Sequence, residues 1–139
     1  MINITLSDLE ACNLYASVLQ TVETICDNYE LQNDFGIISS ANQEVVDFIL
    51  NGHKDFSVNV EFNIDNDHVD VLYSSADFSF DCLYNKVIEE EHSILSLLCD
   101  NIEYDSDNKV FTINFHVKPK MFIVRKTQTE NVLKTKFSL

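Results

Sequence analysis

The chain has 139 residues, of which 45% are hydrophobic, and it carries 23 Asp and Glu residues against 9 Lys and Arg, a formal net charge of −14 at pH 7. This length and apolar content are typical of a single domain with a packed core. No apolar run is long enough to cross a bilayer, and the first residues lack the basic start and apolar run of a signal peptide. A chain this acidic repels nucleic acid and anionic membranes, so we expect neither as a partner.

The charge is unevenly distributed along the chain. Residues 118–139 hold six basic residues and one acidic residue, a net charge of +5, whereas residues 1–117 hold 3 basic and 22 acidic residues, a net charge of −19. We therefore divide the chain into an acidic domain, residues 1–117, and a basic C-terminal extension, residues 118–139. Solubility is the simpler explanation of the acidic charge, and the alternative is that the extension docks on an acidic face of this chain or of a partner.

The four cysteines are Cys12, Cys26, Cys82 and Cys99. They lie far apart and include no Cys-x-x-Cys pair, which argues against a metal cluster and against a disulfide framework. Cys12, Cys26 and Cys99 fall on apolar positions of predicted helices, so we expect them to be buried. A reducing, cytoplasmic location is the default for such a chain.

The first part of the chain predicts a strand followed by two helices. β-Branched residues in 2–6 predict the strand. Ser7 and Glu10 have the spacing of a helix capping box, and apolar residues then recur at helical intervals, which predicts one long helix over about 8–29. A second helix is predicted over about 33–52, where the final glycine is typical of a C-terminal cap.

The remaining chain predicts two hairpins around a further helix. Apolar and polar residues alternate over 56–64, the pattern of a strand with one wet face, and 69–74 returns as its hairpin partner. Apolar spacing predicts one helix over about 84–99, and a second hairpin follows in 101–117. Residues Met121–Lys126 are a candidate for one more strand. This order predicts an α+β two-layer sandwich, with helices on one face of a mostly antiparallel, mixed sheet.

Four stretches follow one another in an order typical of a known fold. They are LSDLEACNLYASVLQTVETI, LQNDFGIISSANQEVVDFILNGH, VDVLYSSADFSFD and ILSLLCDNIEYDSDNKVFTINFHV. Together they resemble the GHKL (histidine-kinase-like) ATPase family, and within it the anti-sigma-factor serine kinase branch. The first two are similar to its leading strand and two helices, the third to the strand before its Asp-x-Gly-x-Gly motif, and the fourth to its last helix and hairpin. The resemblance covers about residues 1–117 and implies a Bergerat-type ATP-binding fold.

The second helix of that family supplies a Glu that acts as a base and an Asn that binds Mg²⁺. Aligning the His-Gly that ends the family's helix with Asn51-Gly52 puts Gln43 at the Glu position and Asp47 at the Asn position. Gln cannot accept a proton, whereas Asp47 retains the oxygen ligands that Mg²⁺ prefers. A second alignment keeps an acid at Glu44 but puts Phe48 at the metal position. Either alignment loses one of the two roles.

The adenine and phosphate motifs are also altered. The family's Asp-x-Gly-x-Gly maps onto Ser75, Asp77 and Ser79, so the adenine-binding Asp is lost and both glycines gain side chains. Its glycine-rich phosphate loop maps onto the segment that contains Glu89 and Glu91, and such loops need glycine, of which this chain has only two. Carboxylates beside a triphosphate repel it by about 4 kcal/mol per close pair at an effective dielectric near 20. The resemblance therefore implies a degenerate pocket that binds no nucleotide and performs no catalysis, at positions Gln43, Asp47, Asn51, Ser75, Asp77, Ser79, Glu89 and Glu91.

A metal site has little support in the sequence. Asp47, Asp77 and Asp81 are cation ligands only if the fold brings them together, and solvated acids are the simpler interpretation. The four histidines show no metal-ligand spacing and are expected to be exposed. We therefore expect neither a metal nor a cofactor.

Three functions follow from the resemblance. The first is a non-catalytic regulatory protein-binding module, similar to an anti-sigma factor, whose implied partners are a sigma factor or an anti-anti-sigma protein of the STAS type, with a homodimer as a further option. The alternative is a divergent serine kinase that still binds Mg-ATP. The third is an interaction subunit whose ancestral pocket is filled, with Phe48, Phe78 and Phe80 as candidate plugs.

Overall fold

The computed structural model describes residues 1–90 and 93–120. In chain order the elements are β1 (Ile2–Leu9), α1 (Leu14–Asn28), a 3-10 turn (Gln32–Asp34), α2 (Phe35–Gly52), β2 (Val58–Ile64), β3 (Val69–Ser74), α3 (Asp81–Glu89), α4 (Ile94–Leu98), β4 (Asn101–Asp105) and β5 (Val110–Phe115). The strand predicted at Met121–Lys126 and the candidate residue Glu91 lie outside the described residues.

The five strands form one open sheet in the order β1-β2-β3-β5-β4. Residues alternate between a buried face, which packs against the helices, and an opposite face that the helices leave uncovered. The predicted α+β two-layer sandwich is therefore confirmed. The expectation of a mixed sheet was wrong, because all four pairings among these strands are antiparallel. The short turns that join β2 to β3 and β4 to β5 permit only antiparallel pairing.

The boundary between β1 and α1 differs from the prediction. Ser7 lies inside β1, and the strand continues to Leu9 across an irregularity in its pairing with β2. At this irregularity Asp8 adopts a positive φ of 56°, a conformation that Asp tolerates better than most residues. α1 follows only after Asn13, whose Oδ1 accepts the backbone N–H of Glu10 at 2.8 Å. The predicted capping box was therefore wrong, since pairing of β1 with β2 outweighs the local helix signal.

The region predicted as one helix over 84–99 forms two helices. α3 ends at Glu89, and α4 begins after Ser93. The Oγ of Ser93 accepts the backbone N–H of Ser96 at 3.2 Å, which is the hydrogen bond of a helix N-terminal cap. A new cap of this kind starts a separate helix, although the apolar spacing continues across it.

The core lies between the helices and the buried face of the sheet. α1 and α2 each bury a stripe of apolar side chains at helical spacing. No helix of the described part is both long and apolar enough to cross a bilayer. Cys26 is buried as predicted, whereas Cys12 is exposed because it precedes α1 instead of lying within it.

A buried hydrogen bond joins α2 to the centre of the sheet. Tyr73 on β3 is fully buried, and its hydroxyl donates to Oδ1 of Asn42, which is 2% exposed, at 2.5 Å. The Nδ2 of Asn42 donates in turn to the carbonyl oxygen of Ile38 at 2.8 Å. Buried polar groups are stable only when they are hydrogen-bonded in this way. The pair therefore fixes the rotation of α2 over β3.

Candidate functional site

Three of the candidate residues form a row on α2. Gln43, Asp47 and Asn51 are spaced four apart, which puts them one above another on the same side of the helix. Gln43 and Asn51 are exposed, and Asp47 is partly buried. Gln43 lines a small crevice between α1 and α2, together with apolar side chains that include Val18 and Val46.

Ser75 and Asp77 form hydrogen bonds with the backbone of a neighbouring loop. The Oγ of Ser75 donates to the carbonyl oxygen of Ser57 at 2.7 Å and accepts the N–H of Asp77 at 3.0 Å. Oδ2 of Asp77 accepts the N–H of Ser57 at 2.7 Å. These three hydrogen bonds close a ring that ties the loop after β3 to the residue preceding β2. The side-chain oxygens at the position implied for adenine recognition are therefore engaged by the protein itself.

The next candidate, Ser79, precedes α3. Its Oγ accepts the N–H of Asp81 at 3.0 Å and lies 3.1 Å from the hydroxyl of Tyr104 on β4. In residues 1–90 and 93–120, no three His, Cys, Asp or Glu side chains are grouped so that they could hold a metal ion. Asp47, Asp77 and Asp81 are therefore not brought together as a cation site. Glu89 is exposed at the last residue of α3.

Aromatic rings fill the space between the end of α2, the loop before α3 and the sheet. The ring of His53 stacks on that of Phe78, with centroids 4.2 Å apart and an interplanar angle of 17°. Phe78 meets Phe80 edge-to-face at 5.1 Å, and Phe80 stacks on Phe111 of β5 at 5.5 Å. Phe48 of α2 lies 6.2 Å from Phe80. The result is a continuous run of rings from the end of the helix to β5, which we call the aromatic cluster.

The aromatic cluster contains all three of the side chains that the sequence nominated as plugs, namely Phe48, Phe78 and Phe80. Phe80 is fully buried, and Phe78 is 8% exposed. His53 was expected to be exposed, and this was wrong, because its stacking on Phe78 leaves it only partly accessible. Nothing local in the sequence indicates that stacking, since the two residues lie 25 positions apart.

The uncovered face of the sheet has a composition that the sequence reasoning did not single out. None of the five strands contains Lys or Arg. Each of four carboxylates on or beside this face accepts a hydrogen bond from an asparagine side-chain amide: Asn3 to Glu61 at 2.7 Å, Asn114 to Asp70 at 2.5 Å, Asn101 to Glu103 at 3.0 Å and Asn108 to Asp105 at 2.7 Å. The alternation of β-strand residues could have placed these side chains on one face, but the strand order needed to bring them together comes only from the fold.

The turn between β2 and β3 holds a compact group of ionisable side chains. Nδ1 of His68 lies 2.6 Å from Oδ1 of Asp67, and its Nε2 lies 3.5 Å from Oδ2 of Asp70. The hydrogen bond to Asp67 raises the pKa of His68, with Asp70 and Asp65 contributing in the same direction. The same hydrogen bond lowers the pKa of Asp67. This turn lies at the end of the uncovered face.

The geometry thus shows a filled aromatic cluster, a backbone-engaged serine and aspartate, and an acidic uncovered face. Comparison with protein-family models and with curated proteins finds no match for this chain.

Proposed function

We propose that this protein is a non-catalytic regulatory protein-binding module of the anti-sigma-factor type that acts in the cytoplasm. One observation supports the non-catalytic part most directly. Phe48, Phe78 and Phe80 pack together at the region that the GHKL resemblance assigns to the nucleotide. A nucleotide would have to displace these rings before it could bind there.

The free-energy cost of opening that region can be bounded. Returning a buried Phe side chain to water costs about 1.5–3 kcal/mol. Exposing both Phe78 and Phe80 therefore costs about 3–6 kcal/mol, and each 1.4 kcal/mol lowers affinity roughly tenfold. Freeing the Ser75 hydroxyl for adenine would also break its hydrogen bond to Ser57. Together these costs weaken nucleotide binding by about two to four powers of ten.

The partner class rests on the resemblance, which implies a sigma factor or a STAS-type anti-anti-sigma protein, with a homodimer as a further option. The surface of the helix layer is compatible with protein contact. Ile94 and Leu97 lie three residues apart on α4, and their side chains are 56% and 70% exposed. Exposed apolar side chains on one side of a helix are typical of contacts with proteins rather than with small polar ligands.

Nucleotide titration separates this proposal from the Mg-ATP-dependent kinase. Thermal unfolding of the full chain is followed with millimolar Mg-ATP and, as the control, with MgCl₂ alone at the same ionic strength, because Mg²⁺ screens a chain of net charge −14 nonspecifically. A site occupied at 100 times its Kd would add about 2.7 kcal/mol to the free energy of unfolding. We expect the two curves to coincide. A higher Tm with Mg-ATP, abolished by Asp47→Ala, which removes the oxygen ligand, would contradict this proposal and favour the Mg-ATP-binding alternative.

The partner is tested by isothermal titration of the full chain with the sigma factors and STAS-domain proteins of the same organism. We expect one of them to bind, and we expect Leu97→Asp to weaken that binding at least tenfold. Ile37→Asp, which alters a 46% exposed side chain on α2, is the matched control and should leave binding unchanged. If no protein of either class binds, the anti-sigma assignment is wrong, whatever the nucleotide titration shows.

A further inference from the structure

The uncovered face of the sheet presents carboxylates that are held in position. Glu61, Asp70 and Glu103 project from β2, β3 and β4, and each accepts a hydrogen bond from an asparagine amide. An amide neutralises no charge, so the carboxylates stay negative while their orientation is set. A charged group that is already oriented loses little conformational entropy when a cation binds it. The face is therefore a preorganised acceptor for ammonium or guanidinium groups.

This face also offers apolar contact. Leu72 on β3 and Val110 on β5 are partly buried, and they line a surface depression together with Glu103 and Asp105. A segment that carries both apolar and basic side chains would match this arrangement, because the apolar residues can cover Leu72 and Val110 while the cations reach the two carboxylates.

The backbone leaves the sheet at one end of this face. After β5, the N–H of His116 donates to Oδ2 of Asp100 at 2.6 Å, and Lys118 lines a surface depression together with Asp67 and His68. Lys120 then donates its backbone N–H to the carbonyl oxygen of Tyr29 at 3.0 Å. Nζ of Lys120 also lies 2.8 Å from Oε2 of Glu30, so Lys120 lies beside the C-terminal end of α1, in the helix layer. Residues 121–139 therefore have to pass around the end of the sheet to reach the uncovered face.

Residues 121–139 have the composition that this face would accept. They hold four basic residues (Arg125, Lys126, Lys134 and Lys136) against the single acid Glu130, together with apolar residues such as Phe122 and Ile123. Nineteen residues reach up to about 60 Å when extended. The seven-residue strand β2 is only about 23 Å long at ~3.3 Å per residue. The segment is therefore long enough to cross the whole face.

We infer that residues 121–139 dock on the uncovered face of the sheet of their own chain, with basic side chains against Glu61, Asp70, Glu103 and Asp105. Tethering at Lys120 gives the segment a millimolar effective concentration at this face, well above that of a partner protein in dilute solution. An external cationic protein would have to displace it. The inference does not depend on the proposed function, since it concerns a contact within one chain.

Zero-length carbodiimide crosslinking of the dilute full chain tests this contact. The reagent joins a lysine amine to a carboxylate only when the two are in direct contact, and mass spectrometry locates the joined residues. We expect Lys126, Lys134 and Lys136 to be joined mainly to the four carboxylates of the face, and we expect about 1 M NaCl, where the Debye length is ~3 Å, to remove most of the product. Mixing ¹⁴N- and ¹⁵N-labelled protein distinguishes crosslinks within a chain from those between copies.

Two full-chain variants of equal charge provide the comparison. One replaces the face carboxylates by amides (E61Q, D70N, E103Q and D105N), and the other does the same on α1 and α2 (E23Q, D27N, E44Q and D47N). The first should lose the crosslinks and the second should keep them. Crosslinks to the helix acids, crosslinks between ¹⁴N and ¹⁵N chains, or no crosslinks from 126–136 would each overturn the inference.

A second measurement leaves residues 1–120 unaltered. Replacing Arg125, Lys126, Lys134 and Lys136 by Gln in the full chain should shift the amide NMR signals of the uncovered face, including Leu72 and Thr112. It should leave the signals of α1 and α2 unchanged. Shifts confined to the helices, or none outside 121–139, would overturn the inference as well.

Discussion

Removing one hydroxyl group from the core gives the sharpest test of the packing. Tyr73→Phe keeps the ring but deletes the donor to Oδ1 of Asn42, at a position where both side chains are buried. A buried acceptor that loses its donor costs about 1–3 kcal/mol in the free energy of unfolding. At pH 7 we therefore expect Tyr73→Phe to be less stable than the natural protein by that amount.

The same deficit should disappear at alkaline pH. Burial raises the pKa of Tyr73 well above its ordinary value of 10.0, with Cys99 contributing in the same direction. Above pH 10 the unfolded chain has lost the phenolic proton while the folded chain retains it. This group then lowers the free energy of unfolding by up to ~1.4 kcal/mol per pH unit. Tyr73→Phe lacks that loss, so the two stability curves should meet about one to two pH units above 10.

Urea unfolding at intervals from pH 7 to pH 11 measures the deficit at pH 7 and its narrowing by about 1.4 kcal/mol at pH 11, with the slope m checked for constancy. Tyr15→Phe is the control, because Tyr15 is 44% exposed and its change should stay within about 0.5 kcal/mol at pH 7. A stability difference between Tyr73→Phe and the natural protein that stays constant from pH 7 to pH 11 would refute the reasoning. It would mean that the folded protein releases the proton as readily as the unfolded chain does.

Three further outcomes follow from individual side chains. Phe80→Ala, which empties a fully buried position of the aromatic cluster, should cost about 3–5 kcal/mol in urea unfolding, and a loss below 1 kcal/mol would contradict the packing. At pH 8 iodoacetamide should modify the exposed Cys12 rapidly and spare Cys26, because burial raises the pKa of the Cys26 thiol to about 12. Equal modification rates of the two cysteines, followed by mass spectrometry, would contradict this. Asp67→Asn should lower the pKa of His68 in an NMR titration. The interaction between the two side chains raises the pKa of His68 and lowers that of Asp67. It therefore stabilises the fold between roughly pH 4 and 6.5, and this stabilisation is lost on either side of that range. At pH 8 the variant should be as stable as the natural protein.

Much of the fold could be predicted because it depends on periodicity. Alternation over 56–64 and 69–74 placed β2 and β3 correctly, and helical spacing placed α2 to within about two residues. The predictions failed where a local signal competed with a distant partner. Ser7 has the spacing of a capping box, but pairing with β2 extends β1 through this position, so Ser7 lies in the strand. Sequence spacing could not show that competition, because the partner lies more than fifty residues away.

The candidate site was harder to predict, for a related reason. The sequence nominated Phe78 and Phe80 as plugs of the implied pocket without showing which rings they meet. The hydrogen bonds between Ser75 and Ser57 join residues 18 positions apart through an irregular loop, for which no sequence pattern exists. Asn42 did carry a usable signal, since it is the one strongly polar side chain on the buried stripe of α2. A polar residue at such a position needs a buried partner, and the structure provides it in Tyr73.

The candidate polar residues Ser75 and Asp77 are hydrogen-bonded within the protein itself. Buried polar groups must be hydrogen-bonded, and in a ligand site the ligand or water supplies part of that hydrogen bonding. Here Ser75 and Asp77 satisfy each other and the backbone of Ser57, and the aromatic cluster fills the adjoining volume. A small ligand would then have to replace existing hydrogen bonds as well as displace rings, so it would gain little from either. Leu97 is exposed, and the carboxylates of the uncovered face lie at the surface, where another protein or the basic segment of the same chain can reach them.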